Sequence, residues 1–573
     1  FGSEIKKRVE RMLKIAERDM AARADERKKS EKQKAFERTT EFGDKYPEMR
    51  CGNWIANMDG IYNPDAMPES RVACPHPILP AEIITNVEDG MQKVRLAFYR
   101  QGRWREQIVP KTVIAQKNQI PNLAAFGVAV TSETAKALVK FLSDVENLNI
   151  DTVPEVRATA KMGWCEDGFM PYTSELAFDK DGRFDAIFGT ITSSGSRQKY
   201  MDFVLSVRAS GRVEPRLAMA ASFASILLKP CGLNPFWVDL WGRTGGGKSI
   251  CGMLAASVWA DPEMGKFISN FDDTLASFEG KANFLNNLPF IIDDTARLKK
   301  NYKDDFSQLI YQLASGEGRG RSNTKLGLEP KKTWKNITIC SGENPIITDQ
   351  LQGGAINRLI EYEVDEGDIF PDGQAAAALL RNNYGFLGRE FVDIICKLGA
   401  DRTAQRDCFK AIKSDEYEDK QLLSLSALLT ADLIATEYIF KDNRALTFKE
   451  LKKALTDKRT LSETARCYAY IISECDANTS KFYKGELEEI YNEAWGRKYF
   501  DKVAGKNCYA IYTNVFKRIC KSGNFNPESF ISWALKKGFL IGGANNSPTK
   551  VVKIGFSSSR CYVLVRPEET AEE

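Results

Sequence analysis

Residues 236–257 run from an apolar stretch, FWVDLW, through GRTGGGKS, into KSICGMLAAS. Four glycines fall within six positions, followed by a lysine and a serine. A loop so poor in side chains has one strong structural use. Its backbone can curl until successive N–H groups point inward at an anion. A helix starting just after it presents its N-terminus to the same charge. Gly242, Arg243, Thr244, Gly245, Gly246, Gly247, Lys248, Ser249 and Ile250 are therefore expected to cradle the phosphates of a nucleotide. Lys248 has the length to reach the outer phosphates, and the Ser249 hydroxyl suits a Mg²⁺ ion. Because the loop sits between a buried-type strand and a helix, the surrounding chain is expected to be α/β with a mainly parallel sheet.

Downstream segments fit the same sheet. LPFIIDDT, 288–295, is an apolar strand ending in two carboxylates, which makes Asp293 a candidate metal ligand and Asp294 a candidate to orient an attacking water. ITICSGENP, 337–345, is a second apolar strand with a polar end, where Asn344 is the first and Glu343 the second candidate for sensing the terminal phosphate. INRLIEYEV places Arg358 immediately before a third strand, as a candidate arginine finger for a neighbouring subunit. Arg389, in YGFLGREF, is a further candidate in a helical lid.

Composition removes several alternatives. The single histidine, His76, excludes a His-rich zinc site and makes a Ser/His/Asp triad elsewhere untenable. Thirteen cysteines are scattered without a CxxC pair, as expected of small buried hydrophobes in a reducing cytoplasm. The Cys74/His76 pair, with Cys51 nearby, fits no usual zinc spacing. No apolar run of eighteen residues points to a membrane. The opening Phe1-Gly2-Ser3 resembles a cloning remnant, so further natural sequence upstream is expected. At 573 residues the chain is too long for one core, and its net charge of +4 requires any nucleic-acid surface to come from local clustering.

The divisions expected are a charged helical segment at 1–48, a β-rich domain at 49–150, an ATPase domain at 151–400, a helical lid or linker at 401–504 and a winged-helix domain at 505–573. In the second, MQKVRLAFYR and RWREQIVPKTVIAQ flank a Gln-Gly turn and read as a hairpin. SETAKALVKFLSDVE, 132–146, reads as a helix with a serine cap. In the last, helices at IYTNVFKRIC and NPESFISWALKKGFLI precede paired strands TKVVKIGF and RCYVLV. Lys536, Lys537, Lys550, Lys553 and Arg560 give that module positive charge.

The stretches WGRTGGGKS, SVWADP, DDTLASFEGKANFLNNLPFIIDD, FSQLIYQLASGEGRGRS, TICSGE and NYGFLGREF together resemble an AAA+ ATPase of the helicase type. The set is similar to the domain-of-unknown-function family numbered nine-two-seven, found in phages and mobile elements, and to the MCM-like helicases of staphylococcal cassette chromosomes. That resemblance implies an AAA+ core, ATP and Mg²⁺ as cofactors, a homohexameric ring, and single-stranded or forked DNA as substrate. Primase or initiator proteins would be further partners. In related helicases the interval 315–334 holds a hairpin directed into the ring channel. Here it carries Arg319, Arg321, Lys325, Lys331 and Lys332 against Glu317 and Glu329, a charge suited to phosphates without sequence readout. Asp294 stands where the family more often has Glu, and Arg319 where it often has Lys. A non-unwinding DNA-associated switch shares the same nucleotide elements. A monomeric small-molecule kinase would leave Arg358 and the C-terminal modules without a use.

Overall fold

The computed structural model describes residues 12–23, 38–180, 182–295, 306–320, 331–347, 351, 353–399, 402–458, 462–484, 493–523, 525–544 and 547–567. The chain divides into two compact units, Phe1–Asp185 and Ala186–Glu573. In the first, residues 12–23 form a helix whose apolar side chains Met12, Leu13, Ile15 and Met20 are exposed.

Strands β1 (Ile55–Asn57), β2 (Gly60–Tyr62) and β3 (Val72–Cys74) form a small antiparallel sheet. A larger sheet has the order β10-β7-β4-β5-β6, from β4 (Ile78–Asn86), β5 (Gln92–Arg100), β6 (Arg103–Pro110), β7 (Glu155–Thr159) and β10 (Ala177–Phe178). The hairpin expected across Gln101-Gly102 forms as β5–β6. Both turn residues have positive φ, 52° and 75°, which matches the twist of the strands they join. In β5, buried Val94, Leu96 and Phe98 alternate with Lys93 and Arg95. The strand reading of the second segment stops at Pro110, after which Lys111–Ala115 is a short helix.

Two further expectations are corrected here. The helix Ala135–Leu148 is not capped by Ser132. The Thr134 N–H donates to Thr131 Oγ1 at 3.3 Å and the Thr131 N–H to Thr134 Oγ1 at 3.0 Å, so a threonine pair closes that end. The break expected at 150 is also displaced, because β7 pairs in parallel with β4 (Ile83↔Glu155 to Asn86↔Ala158) and draws the chain as far as Asp185 into the first unit. The hairpin β8 (Gly163–Cys165) and β9 (Gly168–Met170) lies within that added stretch. His76 accepts the Ala129 N–H on Nε2 at 2.9 Å, leaving Nδ1 to face the Pro77 carbonyl.

In the second unit, a five-stranded parallel sheet has the order β12-β13-β14-β11-β15. Its strands are β11 (Phe236–Trp241), β12 (Ser269–Asn270), β13 (Phe290–Asp293), β14 (Ile337–Gly342) and β15 (Leu359–Glu363). β11, β13, β14 and β15 are the apolar runs read from the sequence, and the two-residue β12 is an addition to them. They are continuous rather than alternating because helices cover the sheet. The helix Val213–Cys231 buries nearly its whole length.

Against it lies Asp419–Ala435, continued by a wider turn, Thr436–Phe440. Among the described residues this one stretch is long and apolar enough to cross a membrane by length and composition, and 67% of its apolar window is buried inside the unit. It also carries a buried charge. The Arg208 side chain, with no solvent exposure, donates to Asp432 at 2.9 Å and to Asp442 at 2.7 Å. Its guanidinium lies 4.2 Å from the Phe440 ring centre.

The chain ends in helix Glu463–Ala477, strands β16 (Phe482–Tyr483), β17 (Gly496–Asp501) and β18 (Lys506–Tyr512), helices Thr513–Ser522 and Pro527–Lys537, then β19 (Leu540–Ile541), β20 (Lys550–Ile554) and β21 (Ser557–Val565). Asn526 caps the second of those helices, accepting from the Glu528 and Ser529 amides. The paired strands expected at the end are β20 and β21. The module begins earlier than expected, since Phe482 of β16, Trp495 and the helix Glu463–Ala477 share its core with Phe516, Phe530 and Tyr562. IYTNVFKRIC is also split, with β18 ending at Tyr512 before the helix starts. The helix expected in KGELEEIYNEAW falls mostly on 485–492, outside the described residues.

Candidate functional site

The glycine loop leaves the carboxyl end of β11. Gly242, Gly245 and Gly247 have φ of 151°, 79° and 98°, a region L side chains rarely enter. Crowding adds a second reason for two of them. A Cβ on Gly242 would stand 3.2 Å from Val364, and one on Gly247 would stand 3.0 Å from Phe370 and 3.3 Å from Ile369. The segment after β15 thus packs on the loop from outside. The Ile369 N–H donates to the Gly246 carbonyl at 3.1 Å, and Arg243 pairs with Asp368.

Lys248 opens the following helix and is buried. Its ammonium donates to the Gly242 and Arg243 carbonyls at 2.9 and 2.6 Å. Burial lowers its pKa, opposed by the nearby carboxylates of Glu343, Asp293 and Asp239. The adjacent Ser249 Oγ donates to Asp293 Oδ1 at 3.2 Å, and Ser341 Oγ donates to the same oxygen. This convergence follows from register. Ile292 is opposite Cys340, which sets Asp293 beside Ser341 at the tips of neighbouring parallel strands.

Asp294 has φ 67°, an uncommon conformation for a residue other than glycine. The following Thr295 N–H donates to the Ser341 carbonyl at 2.9 Å. A Cβ at Gly342 would lie 1.8 Å from Thr295 Oγ1, so only glycine fits where β13 and β14 come together. Glu343 accepts from Thr244 Oγ1 at 2.5 Å, bridging the β14 end to the glycine loop. Asn344 is exposed one residue on. Lys248, Ser249, Asp293 and Glu343 are therefore brought together, with Asp294 and Asn344 at the same edge.

Arg358 and Arg389 are placed differently. Arg358 precedes β15 at the amino end of the sheet, and its carbonyl accepts the Trp237 N–H at 2.8 Å. Gly242 follows the carboxyl end of the adjacent strand. At about 3.3 Å per residue the two lie roughly 20 Å apart along the strands. Arg358 donates to the Gly354 carbonyl at 2.6 Å and stands 5.0 Å from the Tyr311 ring centre. Arg389 is exposed on the first turn of Leu387–Leu398. The intervening helix Gly373–Asn382 packs against the glycine-loop helix, where a Cβ on Gly373 would be 2.9 Å from Ile250.

Of the expected basic hairpin, the base is described. The Gly318 N–H donates to the Lys332 carbonyl at 2.8 Å, the Trp334 N–H donates to the Gly316 carbonyl at 3.0 Å, and Glu317 pairs antiparallel with Thr333. Trp334 Nε1 donates to the Leu313 carbonyl at 2.7 Å. The Arg319 N–H donates to buried Glu279 at 3.3 Å, and exposed Lys331 faces Glu317 at 3.3 Å. Arg321 and Lys325 lie outside the described residues.

Two groups escaped sequence reasoning. Ser341 reads as one polar residue among several in SGEN, and only the register with β13 singles it out. Asp239 reads as part of an apolar strand. It is fully buried beneath the loop, with Cys340 Sγ donating to Oδ1 at 3.2 Å and no hydrogen-bond partner for Oδ2. Burial, reinforced by Glu361 on the adjacent strand, holds its pKa well above the usual carboxylate range. A carboxyl raised on folding stabilises below its unfolded pKa, and the contribution is lost as pH rises toward the folded value. Asp239→Asn, which cannot ionise, is therefore expected to melt higher than wild type by a few degrees near neutral pH. The gap should widen between pH 5 and pH 8. A gap independent of pH would contradict the assignment.

The donor set fits a phosphate–magnesium group. An ammonium, a hydroxyl and a carboxylate meet at one sheet edge, below a loop only glycine can form. Among the described residues no cluster of three His, Cys, Asp or Glu side chains forms a metal cage.

Parallel strands, a glycine loop at one tip and a carboxylate at the next give this unit the layout of the phosphate-loop α/β class. Residues 51–333 match the family described as "Domain of unknown function (DUF927)", and residues 462–569 match the "Cch helix turn helix domain". The two matches fall on separate parts of the chain, the first ending within the second compact unit and the second covering the C-terminal module. The fold is similar to the solved structure described as "SCCmec type IV Cch - active helicase", with a TM-score of 0.65 at 15% identity over 90% of this chain and 98% of that one. At that identity the likeness is one of fold. A second solved structure, "The A form apo structure of NrS-1 C terminal region-CTR", aligns over 85% of this chain and 96% of that one at 12% identity, but its TM-score of 0.31 carries no argument. No curated protein matches the sequence.

Proposed function

We propose that the chain is an ATP-dependent DNA helicase with an AAA+ core, working as a homohexameric ring on single-stranded or forked DNA of a mobile element or phage. The observation that carries this reading is the meeting of Ser249 Oγ, Ser341 Oγ and Asp293 Oδ1 beside Lys248 at the carboxyl edge of a parallel sheet. The fold shared with a protein described as an active helicase supports the substrate class.

In this reading Lys248 and the amides of 243–250 hold the phosphates of ATP. Ser249 and Asp293 hold Mg²⁺, which supplies charge neutralisation between the outer phosphates when bound. Asp294 orients the attacking water, with Ser341 fixing the neighbouring carboxylate. Glu343 and Asn344 report the terminal phosphate to the glycine loop through Thr244. Arg358 acts on the site of the adjoining copy and Arg389 acts from the helical lid. Arg319, Arg321, Lys325, Lys331 and Lys332 contact DNA phosphates in the channel. The C-terminal domain is a winged helix, and primase or initiator proteins join the assembly.

A labelled fork with ATP and Mg²⁺ tests the coupling. Wild type is expected to displace the strand. Lys331→Ala/Lys332→Ala should keep most of its DNA-independent ATPase and lose displacement by roughly tenfold, with a shallower salt dependence of binding. DNA-stimulated ATPase with no displacement on any fork would identify a non-unwinding switch, such as a loader or targeting ATPase, and sink the helicase reading.

A further inference from the structure

The C-terminal module is far more basic than the chain around it. Residues 496–567 contain 13 Lys and Arg against two acidic residues, while the whole chain carries a net +4. Of the apolar side chains exposed in that field (Phe500, Val503, Val551 and Phe556), Phe556 is the more exposed of the two aromatics. Phe556, at the turn joining β20 to β21, is 89% exposed. The turn holds it there. Ile554 pairs with Ser557, so Gly555 and Phe556 are the two central residues, and Gly555 has φ 58° at the position that needs it.

The hairpin behind the tip is well anchored. Val552, Ile554, Cys561, Val563 and Val565 form a small core with Cys508 and Ala510 of β18. Lys550 pairs with Asp501 at 2.7 Å, a contact that draws the Asp501 carboxyl down to about 2. Arg497 donates to the Lys553 carbonyl at 2.9 Å. With Val552 and Ile554 turned inward, Val551 and Lys553 take the outer face. Arg560 lies directly across from Val551 and shares that face. A pinned hairpin thus presents an aromatic tip with two cations behind it. That is the chemistry of a nucleobase's π face flanked by phosphates.

We propose that the Gly555–Phe556 tip is a base-stacking contact for DNA, with the Phe556 ring against a nucleobase and Lys553 and Arg560 facing the neighbouring phosphates. The base is either unpaired in a single strand or part of a stacked pair that the ring parts as a wedge. The inference rests on the DNA-directed part of the proposed function and is independent of nucleotide.

The test uses the full chain without nucleotide, titrated onto a fluorescent single strand and a blunt duplex of the same sequence. Phe556→Ala should weaken binding roughly tenfold with its salt slope unchanged, and Phe556→Trp should bind as wild type. Lys553→Ala and Arg560→Ala should each reduce the slope by about one. Loss on the single strand alone places the ring on an unpaired base, and loss on the duplex as well places it between pairs. Because the ring is so exposed, melting temperatures should not move. Phe556→Ala binding both probes within twofold of wild type would overturn the proposal and leave the tip to a protein partner. Wild type binding neither probe would instead fail the DNA-directed reading itself.

Discussion

Lys248→Ala is expected to lower ATP turnover by roughly a hundredfold to a thousandfold while leaving the fold intact. The magnitude is that of removing one donor aimed at charge developing in a transition state. Structure should survive because the ammonium's partners are two carbonyls of the loop itself, Gly242 and Arg243. Both lie at a sheet edge rather than in the core. The depressed lysine pKa works in the same direction, since a partly desolvated ammonium gains more from a phosphate than a hydrated one. Steady-state turnover and a melting curve on the same preparation check this. Near-wild-type hydrolysis by a variant that melts like wild type would remove the phosphate role from the loop.

Arg358→Ala is expected to fall further, by roughly a thousandfold or more in turnover, with nucleotide binding retained. Geometry sets the logic. The guanidinium is at the amino end of β15, while its own loop leaves the opposite end of β11. A role in hydrolysis therefore demands a second copy, through a head-to-tail contact of the kind that closes rings. Two inactive variants then complement. In an equimolar mixture with Lys248→Ala, about a quarter of contacts join an intact loop to an intact arginine, and activity should reappear at about that level. Arg358→Lys keeps the charge but loses the fork, and should recover little. No recovery between variants that still co-assemble would confine Arg358 to its bonds with Gly354 and Tyr311.

What could be read beforehand depended on how locally each feature is encoded. The strand–loop–helix at 236–257 and the Gln101-Gly102 hairpin are fixed by neighbours in the chain, and both are where the residues place them. The edge of the first unit is not local. It depends on β7 pairing with β4 across some seventy residues, and nothing in EVRAT announces its partner. The Ser132 cap does not form, and Thr131 and Thr134 on either side of it instead bond each other's amides through their hydroxyls. Asp293 was legible as a carboxylate at the tip of an apolar strand. Ser341 was not, because its importance comes from the β13–β14 register. Asp239 was hidden by its company, since one carboxylate within FWVDLW looks like an interruption of a strand rather than a proton held inside it.

The segment after β15 adds a mechanical consequence. Val364, Ile369 and Phe370 press on the glycine loop, and Ile369 is bonded to Gly246. Arg358 stands immediately before the same strand. β15 is the edge strand of its sheet, but its continuous pairing to β11 from Leu359 to Glu363 keeps it from stretching, so it behaves as a pushrod. Any shift of the loop against Ile369 and Phe370 loads the end that carries the arginine, and any pull on the arginine returns to the loop. One copy's pocket and the residue it would lend to the next are thus opposite ends of a single stiff part.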